Sequence, residues 1–119
     1  MTQRLTLRTR NSPAGAVIEL AGDLDHHSAP EVRAALPGVD LLPGRQLVLD
    51  LGGVTFCDSS GITALIAARN HALAAGAGIA LAAVPEPVSR IFRIVGLDQV
   101  FPVHPTVRAA EAAWRPTAG

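Results

Sequence analysis

The segment Asp58-Ser59-Ser60-Gly61 places a carboxylate, two hydroxyls and a glycine where an apolar run gives way to a helical pattern. A serine at a helix start ordinarily caps a free backbone N–H group through its hydroxyl oxygen. Two features favour a further role. Three polar residues stand where one cap would suffice, and Gly61 in the first turn costs about 1 kcal/mol relative to alanine. A glycine is expected there if another protein or a phosphate group must approach the backbone closely.

A phosphoryl group on one of these serines would add nearly two negative charges. The free N–H groups and the positive dipole end of a helix N-terminus can accommodate that charge within the domain. A partner surface that fits a neutral hydroxyl, or that carries carboxylates of its own, cannot accommodate it. Phosphorylation at this turn is therefore predicted to abolish docking of a partner without unfolding the domain. The turn chemistry does not choose between Ser59 and Ser60.

A second group of polar residues, Asp23-Leu24-Asp25-His26-His27, also lies between a strand-like run and a helix. If the two strands are neighbours, the two turns lie at the same end of the sheet and can form one surface. The alternative is a solvated loop whose aspartates bind local backbone N–H groups. The pair of histidines does not predict a metal site, because no other ligands occur at useful spacing. No metal or cofactor is predicted.

Ser59 together with Asp25 and His26 or His27 supplies the residue types of a hydrolytic triad. The Gly-x-Ser-x-Gly pattern is missing, because Cys57 stands where that pattern has its first glycine. A carboxylate directly beside the serine also disfavours an oxyanion. No glycine-rich stretch matches a phosphate-binding loop, and the chain has no lysine. The chain is therefore predicted not to be an enzyme, with a serine hydrolase as the weaker alternative.

The elements that position the two turns follow from the hydrophobic pattern. Leu5 and Leu7 alternate with polar residues, and with the run 16–22 they predict an antiparallel hairpin at a sheet edge. The nearly continuous apolar run 47–51 predicts a strand buried on both faces and ended by Gly52-Gly53. The remaining predicted elements are helices near 28–36, 60–75, 88–95 and 106–114, and strands at 79–84 and 100–103.

Side-chain spacing predicts how the helices begin and which faces they bury. Ser28 is predicted to cap the first helix. The second helix has one apolar face, formed by Ile62, Leu65, Ile66 and Leu73. The third has another, formed by Val88, Ile91, Phe92 and Val95. The two β-α-β crossovers imply parallel neighbours. We therefore expect an α/β fold with a mixed, mostly parallel sheet of roughly four to five strands and about four helices.

Composition limits the function classes. The chain has 119 residues, the size of one domain, and 49% of them are apolar. The ten basic residues are all arginines, scattered singly, and ten acidic residues balance them. Without a basic stripe, nucleic-acid binding is not expected. A single cysteine, no signal peptide and no membrane-spanning run predict a cytoplasmic protein without a membrane partner.

The chain resembles STAS domains, and more narrowly the bacterial anti-sigma factor antagonists, in three segments. The signature of these domains is similar to Leu49-Asp50-Leu51-Gly52-Gly53-Val54-Thr55-Phe56-Cys57-Asp58-Ser59-Ser60-Gly61. Their N-terminal motif resembles Gly22-Asp23-Leu24-Asp25-His26-His27-Ser28-Ala29, and their third helix and its turn resemble Val88-Ser89-Arg90-Ile91-Phe92 and Val95-Gly96-Leu97. The resemblance covers about residues 4–110 and implies that residues 1–119 form a single STAS-like domain.

This resemblance implies a specific mechanism. Such antagonists bind an anti-sigma factor that is also a serine kinase, and this binding frees the sigma factor for transcription. The kinase uses ATP to phosphorylate the serine directly after the motif aspartate, which is Ser59 here. The phosphorylated protein dissociates, and a phosphatase restores binding. The partner is therefore expected to contact the two turns through Asp23, Asp25, His26, Asp58, Ser60 and Gly61.

The same fold also admits a second interpretation, a non-switching STAS subunit of a transporter or a signalling scaffold. The intact pair Asp58-Ser59 argues against it, because a pure scaffold needs no hydroxyl that can be phosphorylated. Two departures from the family pattern stand out. Thr63 lies where relatives often have glycine, and the segment after Ala110 has no strong counterpart.

Overall fold

The computed structural model describes residues 3–115. The strands are β1 (Thr6–Ser12), β2 (Gly15–Leu24), β3 (Gln46–Cys57), β4 (Gly78–Ala82) and β5 (Val103–His104). The helices are α1 (Ala29–Ala35), α2 (Ser59–Ala74), α3 (Glu86–Val95) and α4 (Val107–Ala113), with short 3₁₀ turns at Leu36–Gly38 and Leu97–Gln99. None of these helices has the length and apolar character needed to cross a bilayer.

The five strands form one sheet in the order β1-β2-β3-β4-β5. β1 pairs with β2 in antiparallel register, and the other three pairs are parallel. The predicted edge hairpin and the mixed, mostly parallel α/β architecture are therefore confirmed. β5 lies at the opposite edge and is only two residues long, shorter than the segment 100–103 that was predicted for it.

The two faces of the sheet are covered unequally. α1, α2 and α3 pack on one face, over a core that includes Leu20, Leu49, Leu65 and Phe92. Among residues 3–115, the other face carries only α4, over a small cluster formed by Val17, Val48, Ala80, Ala82 and Ala110. The Trp114 ring follows α4 and lies over Gly78, where a Cβ atom would collide with it. The Trp114 indole Nε1–H donates a hydrogen bond to the Gly44 carbonyl oxygen at 3.1 Å.

β3 does not end at Gly52-Gly53, as the sequence predicted, but continues to Cys57. A Cβ atom at Gly53 would lie 2.6 Å from Ala21 Cβ on β2, so the glycine is needed for the two strands to approach. The register between β2 and β3 shifts twice in this region. The glycines therefore permit an irregular but continued pairing, and this extension brings β3 level with the end of β2.

The predicted buried face of α2 is wrong in part. Leu65 is buried, but Ile62 and Ile66 are only partly buried, and Leu73 is 47% exposed. The buried positions are mostly small residues: Gly61, Ala64, Leu65, Ala68 and Ala72. Small side chains let α2 approach α1 and the sheet closely, so the helix is oriented by its alanines rather than by its largest aliphatic residues.

Candidate functional site

The two polar turns lie side by side at the carboxyl ends of β2 and β3, as the sequence predicted. Leu24 at the end of β2 is paired with Cys57 at the end of β3. The next backbone N–H group, that of Asp58, donates a hydrogen bond to the Leu24 carbonyl oxygen at 3.2 Å. Because the carboxyl ends of parallel strands lie at the same end of a sheet, the turn 58–61 and the turn 23–28 form one surface.

Asp58, and not a serine, caps α2. Its backbone is extended, and its carboxylate Oδ1 accepts a hydrogen bond from the Gly61 backbone N–H at 3.0 Å. Ser59 is the first residue of the helix and is exposed, whereas Ser60 is partly buried. The Ser59 carbonyl oxygen accepts a hydrogen bond from the Thr63 hydroxyl at 2.9 Å. The expectation that a serine hydroxyl caps this helix is therefore wrong, because the carboxylate beside it takes that position.

Gly61 is required for an internal contact. The residue is buried, and a Cβ atom at this position would collide with the Leu24 carbonyl oxygen and lie 3.0 Å from Cys57 Sγ. The close approach expected here from a partner or a phosphate group is thus made by β2 of the same chain. Gly61 contributes to the site by letting the first turn of α2 rest on the end of β2.

The aspartates of the neighbouring turn are engaged in local structure. Asp23 Oδ1 accepts a hydrogen bond from the Thr55 hydroxyl at 2.8 Å, and Asp23 Oδ2 accepts one from the Gln3 backbone N–H at 3.0 Å. Asp25 Oδ1 accepts from the backbone N–H groups of His27 at 2.9 Å and Ser28 at 3.1 Å. The solvated-loop alternative therefore describes these carboxylates well, although both remain partly accessible.

Ser28 occupies the predicted cap position of α1, but its hydroxyl makes no capping bond to the helix. The hydroxyl donates to the Asp23 carbonyl oxygen at 2.8 Å and accepts from the Asp25 backbone N–H at 2.9 Å. Its residue is 4% exposed. Ser28 therefore holds the turn together from inside, while His26 and His27 next to it are exposed, with their rings in an edge-on arrangement at 5.4 Å.

Two groups at this edge have perturbed acidities. Partial desolvation acts to raise the pKa of the Asp25 carboxyl, but hydrogen bonds from Ser28 and His27, together with the charge of His27, outweigh it and lower the pKa. Asp25 is therefore a carboxylate at neutral pH. Burial, with a contribution from the charge of Asp58, raises the pKa of the Cys57 thiol to about 12. That thiol is protonated and is not available as a nucleophile.

The hydrolytic triad receives no geometric support. The side-chain hydrogen bonds of this region join Asp25, Ser28, Asp58 and Thr63 to nearby groups, and within residues 3–115 none joins Ser59 to His26 or His27. In the same part of the chain, no three His, Cys, Asp or Glu side chains are arranged to hold a metal ion.

Phe56 belongs to this surface and was missed by the sequence reasoning. It is 49% exposed and is paired with Asp23, directly beside the two turns. Strand alternation predicts that one of two successive residues is buried, yet Thr55 and Phe56 are both exposed. The register shift between Gly22 and Asp23 breaks the alternation, and nothing in the sequence marks that shift except Gly22, whose φ of 101° requires a glycine.

Comparisons with known proteins agree on one family. The family model described as "Mlab, STAS domain" matches residues 7–105. The chain is 30% identical over 91 residues to an anti-sigma F factor antagonist of Paenibacillus polymyxa, covering 74% of this chain and 76% of that protein. It is 36% identical over 84 residues to the anti-sigma F factor antagonist of Lysinibacillus sphaericus, covering 68% and 70%. A crystal structure of an anti-sigma factor antagonist from Mycobacterium paratuberculosis superposes with a TM-score of 0.81 at 28% identity, covering 94% of this chain and 95% of that one.

Proposed function

Because the chain belongs to the STAS domain family, we propose that it is an anti-sigma factor antagonist that is switched off by phosphorylation of Ser59. It binds an anti-sigma factor that is also a serine kinase, and so frees the sigma factor. A phosphatase that acts on phospho-Ser59 restores binding, and these events take place in the cytoplasm. The names of the relatives support the antagonist class, and the exposed hydroxyl of Ser59 at the first position of α2 carries the proposal of the switch.

The exposure of the two serines supports Ser59 as the phosphorylated residue. A kinase must bring the serine hydroxyl in line with the γ-phosphate of ATP, so the hydroxyl has to be exposed and to point away from the protein. Ser59 is exposed, and its hydroxyl has no hydrogen-bond partner within residues 3–115. Ser60 is partly buried. The family resemblance and the exposure thus favour the same residue for independent reasons.

The capping of α2 supports the view that a phosphate is tolerated within the domain. The first backbone N–H groups of a helix have no intrahelical acceptor. Asp58 Oδ1 binds only the N–H of Gly61 among them. The other N–H groups of the first turn and the helix dipole remain to stabilise a phosphate on Ser59. Phosphorylation is therefore expected to leave the fold intact.

The surroundings of Ser59 explain why a phosphate would release the partner. A protein that packs on the exposed Phe56 ring and on a neutral hydroxyl would have to desolvate a nearly divalent anion after phosphorylation. Asp23, Asp25, His26, Asp58 and Ser60 flank this point and are proposed as partner contacts, with Gly61 positioning the turn. Because Asp23, Asp25 and Asp58 already bind local groups, we expect His26 and Phe56 to make the more adaptable contacts.

The test is a kinase assay with the cognate anti-sigma factor, ATP and four forms of the full chain. Wild type and Ser60→Ala are expected to be phosphorylated and then to lose binding. Ser59→Ala is expected to remain unphosphorylated and to keep binding in the presence of ATP. Thr63→Ala, one turn further along α2, is a matched control that should behave as wild type.

The outcomes separate the alternatives. Phosphate on Ser60 would contradict the site. Partner binding that is unaffected by ATP, with no phosphate on any residue, would favour the non-switching STAS subunit. Ester hydrolysis that disappears in Ser59→Ala would favour the hydrolase.

A further inference from the structure

The helix α4 is short and packs on a small apolar cluster. Its seven residues (Val107–Ala113) are about half the length at which an isolated helix becomes stable in water. The Thr106 hydroxyl oxygen caps it by accepting a hydrogen bond from the Ala109 backbone N–H at 2.9 Å. The cluster that α4 forms with the sheet has five buried residues, and three of them are alanines, which provide little apolar surface. The contact with the sheet must therefore stabilise both the helix itself and its position.

A buried polar side chain lies beneath this helix. Gln46 is 3% exposed, and it points to the α4 face of the sheet because Val48, two residues later on β3, does so. Its neighbours on β2 and β4 are Gly15 and Gly78, and the Trp114 ring lies over Gly78. The Gln46 Oε1 oxygen is buried, and it has no hydrogen-bond donor in the part of the chain that the structure describes. The docked helix and its tryptophan thus keep this oxygen away from water.

The helix itself contributes a second oxygen of this kind. Glu111 Oε2 is buried and also lacks a donor within residues 3–115. A buried acceptor without a donor has lost its hydrogen bonds to water and has gained none in return, which destabilises the state that buries it. The Gln46 and Glu111 oxygens are buried while α4 is docked, and they become hydrated when it leaves the sheet. They therefore favour release of α4.

The contact between α4 and the turn that joins β1 to β2 is incomplete. An open cavity of about 490 Å³ separates them, and its lining includes Pro13 and Ala14 of the turn and Glu111 and Trp114 of the helical segment. The helix is held mainly at its C-terminal end, where the Trp114 ring packs over Gly78 and the indole N–H binds the Gly44 carbonyl oxygen at 3.1 Å. A helix held in this way can be released by the loss of one side-chain contact.

We propose that residues 107–114 form a releasable strap, which leaves the sheet as one unit while the strands and α1–α3 stay folded. The open form makes up about 1% of the molecules, within the usual range of minor states. In the open form α4 unwinds, because a helix of this length is not stable alone, and the sheet residues Val17, Val48, Ala80 and Ala82 are uncovered. The strap thus controls whether this face of the sheet is accessible.

The first experiment is hydrogen exchange of the full chain, followed by NMR at increasing urea concentration. Release as one unit predicts that the Ala110 and Trp114 amides and the Trp114 indole N–H give the same opening constant within about threefold, near 1 in 100. Their exchange should depend weakly on urea, because opening exposes little surface. The amides of β3 should be protected at least about 100-fold more strongly, with the steep urea dependence of global unfolding.

The second experiment tests the buried oxygens. Gln46→Met keeps the approximate shape of the side chain and removes the acceptor, so it should lower the open population about tenfold. If Gln46 served only to fill space, the substitution would not lower that population. Gln99→Met is the matched control, because it makes the same chemical change at an exposed position after α3, and it should leave the opening constants unchanged.

The third experiment weakens the hold on the C-terminal end of the strap. Gly78→Ala places a methyl group against the Trp114 ring and should raise the open population at least about tenfold. Trp114→Ala removes the ring and its hydrogen bond, and the same increase is expected even if Gly78→Ala does not fold. In both variants the amides of β3 should keep exchanging more slowly than those of α4.

The proposal is overturned if the α4 amides exchange with the same opening constant and urea dependence as those of β3, because α4 then opens only with the whole domain. Opening constants that rise steadily toward Trp114 would also overturn it, since they indicate fraying from the end. So would a Gln46→Met variant whose open population is unchanged or raised. Ser59→Ala should leave every opening constant unchanged, so failure of this proposal and failure of the phosphorylation switch are distinguishable.

Discussion

The starts of α1 and α2 contain the same residue types, an aspartate and a serine, in opposite roles. At α1 the Ser28 hydroxyl is buried and makes bonds within the turn, to the Asp23 carbonyl oxygen and from the Asp25 N–H. At α2 the Asp58 carboxylate caps the helix, and the serine that follows it is left exposed. The difference shows how one end of a sheet can have, in neighbouring turns, a serine that holds the turn together and a serine that is accessible for modification. Whether the serine hydroxyl is accessible depends on which residue caps the helix.

The largest effect is expected from Gly61→Ala, which disrupts the α2 side of this comparison. The added methyl group would collide with the Leu24 carbonyl oxygen, so either the turn or β2 must move. We expect a loss of about 3 kcal/mol in the free energy of unfolding, measured by urea denaturation. Gly38→Ala is the control, because a Cβ atom there has nothing within 4 Å, and its effect should stay within about 0.5 kcal/mol. Equal stabilities of the two variants would show that the turn yields easily.

Ser28→Ala and Ser59→Ala test the comparison directly. Removing the Ser28 hydroxyl leaves the partly buried Asp23 carbonyl and Asp25 N–H without their partner, and we expect a loss of about 2 kcal/mol. Removing the exposed Ser59 hydroxyl should change the free energy of unfolding by less than about 0.5 kcal/mol. Both are measured by urea denaturation of the unphosphorylated protein. Comparable losses in the two variants would contradict the distinction between the two serines.

Asp58→Ala is expected to cost about 1 kcal/mol through loss of the cap on α2. Asp58→Asn keeps an acceptor oxygen in the same place and should recover most of that stability. Thermal unfolding of the three proteins at equal concentration gives the comparison. If Asp58→Ala were neutral, another group would have to cap the helix, and Ser59 would be the first candidate.

The smallest effect concerns pH. The folded-state pKa of Asp25 is lowered from its ordinary value of 3.8, so its ionised form stabilises the fold at neutral pH. This contribution is complete above the ordinary pKa and is lost as the pH falls through the lowered folded-state pKa. Asp25→Asn should therefore be less stable than wild type at pH 7, with the difference shrinking below about pH 4. A difference in stability that stays constant down to about pH 2 would contradict a stabilising role of the Asp25 carboxylate.

The sequence was sufficient to predict the order of strands and helices and the meeting of the two turns, because strongly apolar runs and glycine or proline breaks mark those elements. It was insufficient where a glycine serves packing rather than chain reversal. Gly53 and Gly61 both allow close approach of neighbouring backbone, and this requirement appears only when β2, β3 and α2 are assembled. The same holds for the burial of α2, since alanines are uninformative about orientation until a neighbouring helix is placed.

At the site, the sequence was sufficient to identify most of the residues but not to predict which hydrogen bonds they make. Ser28 and Asp58 were both recognised as residues of helix starts, but which side chain caps is decided by backbone angles: Asp58 is extended, whereas Ser28 is already helical. Phe56 could not be recognised, because its exposure follows from a register shift between two strands. The partner contacts and the phosphorylation of Ser59 remain predictions.

The position of Trp114 gives the protein a built-in optical reporter. It is the single tryptophan, and the chain contains no tyrosine, so ultraviolet emission comes almost entirely from one ring. That ring lies over the beginning of β4, whereas Ser59 follows the far end of β3. Emission should therefore change when α4 detaches from the sheet and stay constant when a phosphate is added at Ser59. Measurements of Trp114 fluorescence can therefore distinguish detachment of α4 from phosphorylation of Ser59.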